Sequence, residues 1–186
     1  MRLFLFFAGI VLTVLSCQKK QCFPKFLVNE SLPHNDTIQL LFKYPELKLY
    51  NNEIVESKTR TAYIVQTANF SAGFYHTKQV GFEDYKCKAA YKEDTIEILL
   101  NNNNGYFGNG VLVKVFEDQF LIKDIDPKTL RGEIKFINST PIYMNLTLNK
   151  SKFKKNDSIY GFIKYKAKID SSVTKHFQGY FRTKIN

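Results

Sequence analysis

The sequence is poor in the residue types on which most enzymes rely for chemistry. Its 186 residues include no Trp, three Cys, three His and five Pro. The histidines stand far apart and no C-x-x-C or H-x-x-x-H spacing occurs, which argues against a metal site. Gly-x-Ser-x-Gly, a Cys beside a plausible His and a glycine-rich phosphate cradle are missing as well. We therefore expect no cofactor and no enzymatic activity; a hydrolase built from sequence-distant acids is the least favoured alternative.

Long apolar runs are also missing, except for one at the start of the chain. Arg2 is followed by an uncharged apolar stretch from Leu3 to Leu15. This stretch is shorter than the roughly 20 apolar residues that a membrane-spanning helix needs. A cation, a short apolar run and a small residue at its end are the parts of an export signal, in that order.

The segment Val14-Leu15-Ser16-Cys17 resembles the lipobox of bacterial lipoproteins. The resemblance covers the leader alone, and it implies that residues 1–16 are a cleaved signal peptide and that Cys17 carries a lipid anchor. Gln18 rather than Asp follows the cysteine, which in Gram-negative lipoproteins implies an outer-membrane destination. Lys19 and Lys20 stand where some bacteria place an acidic run for surface export, so periplasmic and outward facing both stay open.

Lipidation of Cys17 would leave two thiols, Cys22 and Cys87. Outside the cytoplasm these two can form a disulfide that ties the N-terminal tail to the domain. The alternative is that Cys87 is a small buried residue and Cys22 an exposed thiol.

The rest of the chain is typical of one all-β domain. Residues 17–36 are polar and irregular, which predicts a flexible tether after the lipidated cysteine. In residues 37–186, short apolar segments alternate with Asn, Asp, Gly and Lys clusters, beginning with predicted strands at Thr37 to Tyr44 and Glu46 to Tyr50. About ten strands favour an antiparallel β-sandwich, with a lipocalin-like β-barrel as the alternative.

Two internal segments need a choice between structures. Apolar and basic residues alternate from Tyr85 to Lys92, which predicts a strand with Cys87 facing inward, although a short helix is the alternative. The Asn- and Gly-rich segment from Asn101 to Gly110 predicts a loop, with Tyr106 and Phe107 at its tip either folded over the core or stacked on a ligand such as a sugar.

The C-terminal region predicts a hairpin with one cationic and aromatic face. Residues 159–169 and 176–185 alternate with a period of two. From Lys150 to Asn186 the chain has ten Lys or Arg against two Asp or Glu, whereas from Cys17 to Leu100 the counts are 11 and 10. The residues predicted on that face are Tyr160, Phe162, Lys164, Lys166, Lys168, Tyr180, Arg182 and Lys184.

A concentrated field of one sign attracts polyanions. In the cell envelope the candidate partners are anionic polysaccharide, lipid head groups or an acidic envelope protein. Nucleic acid is not expected as a partner, because the predicted location lies outside the cytoplasm. Arg, the residue that most often contacts bases specifically, is also scarce. The alternative is a solvated sheet face whose lysines discourage edge pairing.

Two smaller patterns complete the candidate sites. The triplets that begin at Asp36, Asp94 and Asp157 resemble the Asp-Ser/Thr-apolar sites that some bacteria O-glycosylate, so the candidate acceptors are Thr37, Thr95 and Ser158. Each triplet also suits the start of a strand. Asp124 and Asp126 can share a strand face, but a strand that simply ends at a Pro turn explains them as well.

Together these patterns predict a lipid-anchored lipoprotein of the cell envelope that binds or structures an envelope component without catalysis. The alternative from another class is a periplasmic inhibitor or immunity lipoprotein that blocks a toxin or a lytic enzyme.

Overall fold

The computed structural model describes residues 22–72, 76–105, 108–126, 135–169 and 173–186. The predicted leader, the lipidation site Cys17 and the aromatic pair Tyr106 and Phe107 lie outside these residues. Eleven strands, one short α-helix, α1, and one 3-10 turn at Leu32–His34 are described. Their bounds are β1 Leu27–Val28, α1 Asp36–Leu41, β2 Ala62–Ala72, β3 His76–Phe82, β4 Lys86–Lys92, β5 Thr95–Asn101, β6 Gly110–Phe116, β7 Gln119–Asp126, β8 Lys135–Phe136, β9 Thr140–Leu148, β10 Ser158–Lys168 and β11 Val173–Lys184.

The strands form two sheets packed face to face, which confirms the all-β sandwich. The six-stranded sheet has the order β1-β9-β10-β11-β2-β3, and the five-stranded sheet has the order β4-β5-β6-β7-β8. Neighbouring strands are antiparallel, except that β1 runs parallel to β9.

Alternating side chains explain why these segments are strands. In β5 and β10 every second residue is buried, so one row from each strand enters the core between the sheets. The strand predicted from Tyr85 to Lys92 is confirmed as β4, and Cys87 faces inward with 2% of its surface exposed. The largest fully buried side chains include Tyr85, Phe120, Tyr165, Phe177 and Phe181.

Two glycines allow close packing on either side of β11, one against β10 and one against β2. A Cβ added at Gly161 would lie 2.1 Å from Cζ of Phe181, whose ring fills that space across the strand pair. A Cβ added at Gly179 would lie 2.0 Å from the backbone oxygen of Tyr63 in β2. The inward row of the hairpin therefore depends on the absence of both side chains.

Backbone contacts join the two sheets along both sides. On one side, residues before β1 bond to β7, with Phe120 N donating to Pro24 O and Phe26 N to Asp118 O, and β1 then pairs with β9. On the other side, Asn186 exchanges two backbone hydrogen bonds with β4 residues Ala89 and Tyr91. The sandwich is thus closed by hydrogen bonds at two seams.

The prediction of a flexible tether to residue 36, followed by a strand at Thr37, is wrong for the described part of that segment. Phe26 is 7% exposed and lies in the core, so the domain already includes residues before β1. Instead of a strand, α1 forms, because the Asn35 side chain accepts hydrogen bonds from the backbone N–H groups of Thr37 and Ile38 at the helix N-terminus. Ile38 and Leu41, three residues apart, are buried on one side of this helix.

A further strand prediction is corrected: residues 46–50 are irregular rather than a strand. The long strand β2 continues without a turn through Asn69 to Ala72.

Candidate polyanion-binding face

The six-stranded sheet carries an unusual charge composition. Its six strands contain seven Lys or Arg residues and no Asp or Glu. The five-stranded sheet contains six Lys residues together with three acidic residues, Glu97, Asp124 and Asp126. The larger basic excess therefore lies on the six-stranded sheet, although one of its cations, Lys175, is buried in an ion pair with Asp124.

The outward row of β10 places three lysines in line. Lys164, Lys166 and Lys168 are partnered in β11 by Gln178, His176 and Thr174. On the other side, Lys164 pairs with Asn145 and Lys166 with Tyr143 in β9. We call the surface formed by Tyr143, Asn145, Lys164, Lys166, Lys168, His176 and Gln178 the lysine face; Tyr143, Asn145, His176 and Gln178 were missing from the predicted set.

The three lysines of this face are available to bind an anion. None of them forms an ion pair with a carboxylate in the part of the chain that the structure describes. Lys164 Nζ lies over the ring of Tyr143, 5.9 Å from the ring centre. Partial burial lowers the pKa of His176, and the charge of Lys166 beside it lowers it further. The face thus offers cationic and neutral hydrogen-bond donors.

The other half of the predicted face is covered rather than open, because α1 and the residues before it pack on it. Arg182 lies over the Phe42 ring at 3.7 Å and donates to Thr59 Oγ1 and Arg60 O, so it is a structural residue. Tyr160 is half-buried. Lys184 is exposed at the rim of a separate cleft beside β4. The predicted single face is therefore divided.

A groove remains between the covered and the open halves. Phe162 and Tyr180 form its aromatic floor, with ring centres 4.8 Å apart and planes tilted by 50°. Its other described lining residues are Asn29, Ser31, Leu32, His34, Asn35 and Thr147, and its volume is about 290 Å³. We call this space the aromatic groove. Phe162 precedes Lys164 by two residues on the same face, so the groove opens next to the lysine face.

The cleft beside β4 has a volume of about 270 Å³ and contains two lysine–glutamate ion pairs. Lys86 lies 2.6 Å from Glu53, and Lys88 lies 2.7 Å from Glu56. Burial raises the pKa of the Cys87 thiol well above its ordinary value. A protonated, buried thiol is a poor nucleophile, so this cleft lacks the activated group that Cys-based chemistry requires.

The disulfide between Cys22 and Cys87 does not form. Both thiols are free; Cys22 is exposed and Cys87 is buried. Cys22 lies beside β7, and Cys87 lies in β4, with β5 and β6 between them. Three strand spacings amount to about 14 Å, which exceeds the about 7 Å limit between the Cα atoms of a disulfide.

Asp124 is not a free catalytic acid, because it is buried in an ion pair. Lys175 Nζ donates to Asp124 Oδ1 at 2.7 Å and to Gly110 O at 3.2 Å, and Tyr165 Oη donates to Asp124 Oδ2 at 2.5 Å. Burial lowers the pKa of Lys175, and the carboxylate opposes that shift. Burial and the nearby carboxylate both raise the pKa of Tyr165. These groups stabilise one another inside the sandwich.

The three candidate acceptors for O-glycosylation differ in exposure. Ser158 is exposed at the start of β10, whereas Thr95 at the start of β5 and Thr37 in the first turn of α1 are half-buried. Ser158 is therefore the most accessible of the three hydroxyl groups.

The described residues show neither a metal site nor a helix that could span a membrane. They contain no group of three or more His, Cys, Asp or Glu side chains placed to hold a metal ion. They also contain no helix with the length and apolar character needed to cross a membrane. The chain has no match among protein-family models, curated proteins or solved structures.

Proposed function

We propose that this protein is a lipid-anchored module of the bacterial cell envelope that binds an anionic polymer, most simply an anionic polysaccharide, through the lysine face. The observation that carries the proposal is the row of Lys164, Lys166 and Lys168 on the outward side of β10, in which no lysine forms an ion pair with a carboxylate of the described residues. The proposed anchor is Cys17, and the proposed destination is the outer membrane. We propose no catalytic step.

The spacing of the lysines supports a polymeric ligand. Alternate residues on a strand are about 7 Å apart, so Lys164, Lys166 and Lys168 present a row of three charges about 14 Å long. Such a row meets several charges of a polymer at once, and each contact is weak when solvated and sensitive to salt. A polyanion therefore gains more from this face than a small anion does.

Charge reversal tests the proposal. Lys164→Glu, Lys166→Glu and Lys168→Glu in one variant should abolish retention on immobilised polygalacturonate, because the row becomes repulsive. The matched control reverses Lys152, Lys154 and Lys155, which are exposed between β9 and β10. The control changes the net charge equally and should stay bound.

Salt supplies the second readout. Retention of the unmodified protein should fall steeply between low and moderate NaCl, as screening removes interactions between exposed charges. Equal retention of both triple variants would refute the lysine face as the binding surface. Cys17→Ala tests the anchor separately, since it should release the protein from membranes.

A further inference from the structure

We propose that the aromatic groove is a subsite for one uronic acid ring, so that the ligand of the lysine face is a carboxylated polysaccharide rather than an anionic lipid surface or polyphosphate. This inference rests on the proposed function, and it adds the chemical class of the ligand. It starts from the position of the groove, which continues the outward rows of β10 and β11 beyond the lysines.

The floor of the groove matches the apolar face of a sugar ring. Phe162 and Tyr180 are neighbours across β10 and β11, and both are half-buried, so their rings are fixed and still reachable. A pyranose ring presents C–H groups on one face and hydroxyl groups at its edge. An aromatic floor binds such a face by apolar contact without needing a charge.

The rim of the groove supplies neutral polar groups for the hydroxyl edge. Ser31, His34 and Thr147 line it with hydroxyl and imidazole groups. The Asn29 amide oxygen already accepts from the N–H and hydroxyl of Ser31, which orients the amide nitrogen to donate elsewhere. Apolar surface combined with a few placed polar groups is the general composition of a small-molecule site.

Charge next to the groove selects an acidic sugar. No carboxylate is among the described residues that line it. Lys164 follows Phe162 on the outward row, and Gln178 precedes Tyr180 on its partner strand, about 7 Å along the strands. A ring seated on the aromatic floor therefore directs a ring carboxylate toward Lys164, and the rest of the chain continues along Lys166 and Lys168.

The dimensions fit one ring of a longer chain. A volume of about 290 Å³ lies just below the roughly 300–1,000 Å³ found for pockets that hold a whole small ligand. A flat bilayer surface does not enter a groove of this size, and a polyphosphate chain has no ring face to stack. Neither a bilayer surface nor a polyphosphate chain would therefore stack on the rings of Phe162 and Tyr180.

Tyr180→Ala separates the subsite from the charged row. We would measure the affinity of the full chain for oligogalacturonate, for polyphosphate and for vesicles that contain anionic phospholipid. Tyr180→Ala should weaken oligogalacturonate binding about tenfold and leave polyphosphate retention unchanged. Tyr180→Phe keeps the ring and should bind as the unmodified protein does.

Lys164→Gln gives the complementary pattern, because loss of a charge should weaken oligogalacturonate and polyphosphate alike. Circular dichroism of Tyr180→Ala verifies separately that this variant is folded. The subsite is refuted if Tyr180→Ala binds oligogalacturonate as the unmodified protein does, or if vesicles bind more tightly than oligogalacturonate. In either case polyanion binding by the lysine face still stands; it fails only if reversal of the three lysines has no effect.

Discussion

The buried ion pair between Lys175 and Asp124 offers a direct test of how the two sheets are held together. The side chain of Lys175 is 7% exposed and that of Asp124 is 0% exposed, and the pair joins β11 of one sheet to β7 of the other. Lys175→Met keeps the length and apolar stem of the side chain but removes the charge. The carboxylate is then left in the core with the Tyr165 hydroxyl as its remaining side-chain donor in the described structure.

The expected loss in the free energy of unfolding follows from the burial of this ion pair. Removing one partner of a buried ion pair typically destabilises a protein by about 3–5 kcal/mol, because the other charge remains without compensation. With a slope of about 2 kcal/mol per molar urea, Lys175→Met should lower the midpoint of unfolding by about 1.5–2.5 M. A second variant, Lys175→Met with Asp124→Leu, removes both charges and should be more stable than the single variant.

Urea unfolding followed by circular dichroism measures both effects. Lys168→Met is the matched control, because Lys168 is exposed on β10 and its replacement should change stability by no more than about 0.5 kcal/mol. If Lys175→Met were as stable as this control, the ion pair would not contribute to the closure of the sandwich. The same conclusion would follow if the double variant were the less stable one.

Three other sites give shorter tests. Gly179→Ala should destabilise the protein by about 3 kcal/mol or more, because the added Cβ meets a β2 carbonyl; an unchanged urea midpoint would contradict the close approach. Polyanion binding should raise the lowered pKa of His176 beside Lys166, measured by NMR, so that affinity increases as the pH falls and His176 becomes protonated in the complex; His176→Gln should remove this dependence. A thiol reagent should modify Cys22 and spare Cys87 in the native protein. If Cys22 did not react either, the result would instead support a disulfide between Cys22 and Cys87.

Local patterns in the sequence were sufficient to predict most of the sandwich. The alternation in β10 and β11 is long and regular, so the prediction of a hairpin with one buried row agrees with the structure. The inward position of Cys87 follows from the same period of two in β4. These strands could be predicted because each carries enough residues to show its periodicity.

The parts that could not be predicted depend on contacts distant in sequence or on very short elements. The helix α1 has six residues, too few to show a helical period, and its signal is the single N-cap Asn35. Lys175 and Asp124 are 51 residues apart, so nothing local marks them as a pair. The division of the predicted cationic face arises because Phe42 packs on Arg182 from a segment that had been predicted as a strand.

The two seams that close the sandwich also bear on when the chain can fold. Each seam joins segments that lie about a hundred residues apart, Pro24 with Phe120 on one side and Ala89 with Asn186 on the other. Contacts of such long range form slowly, because the entropy of a large loop is lost before they contribute any free energy. We therefore expect both seams to form late, so that a newly made chain remains unfolded for longer than one rich in local contacts. If the protein is exported before it folds, as the proposed lipid anchor requires, this topology itself provides the delay.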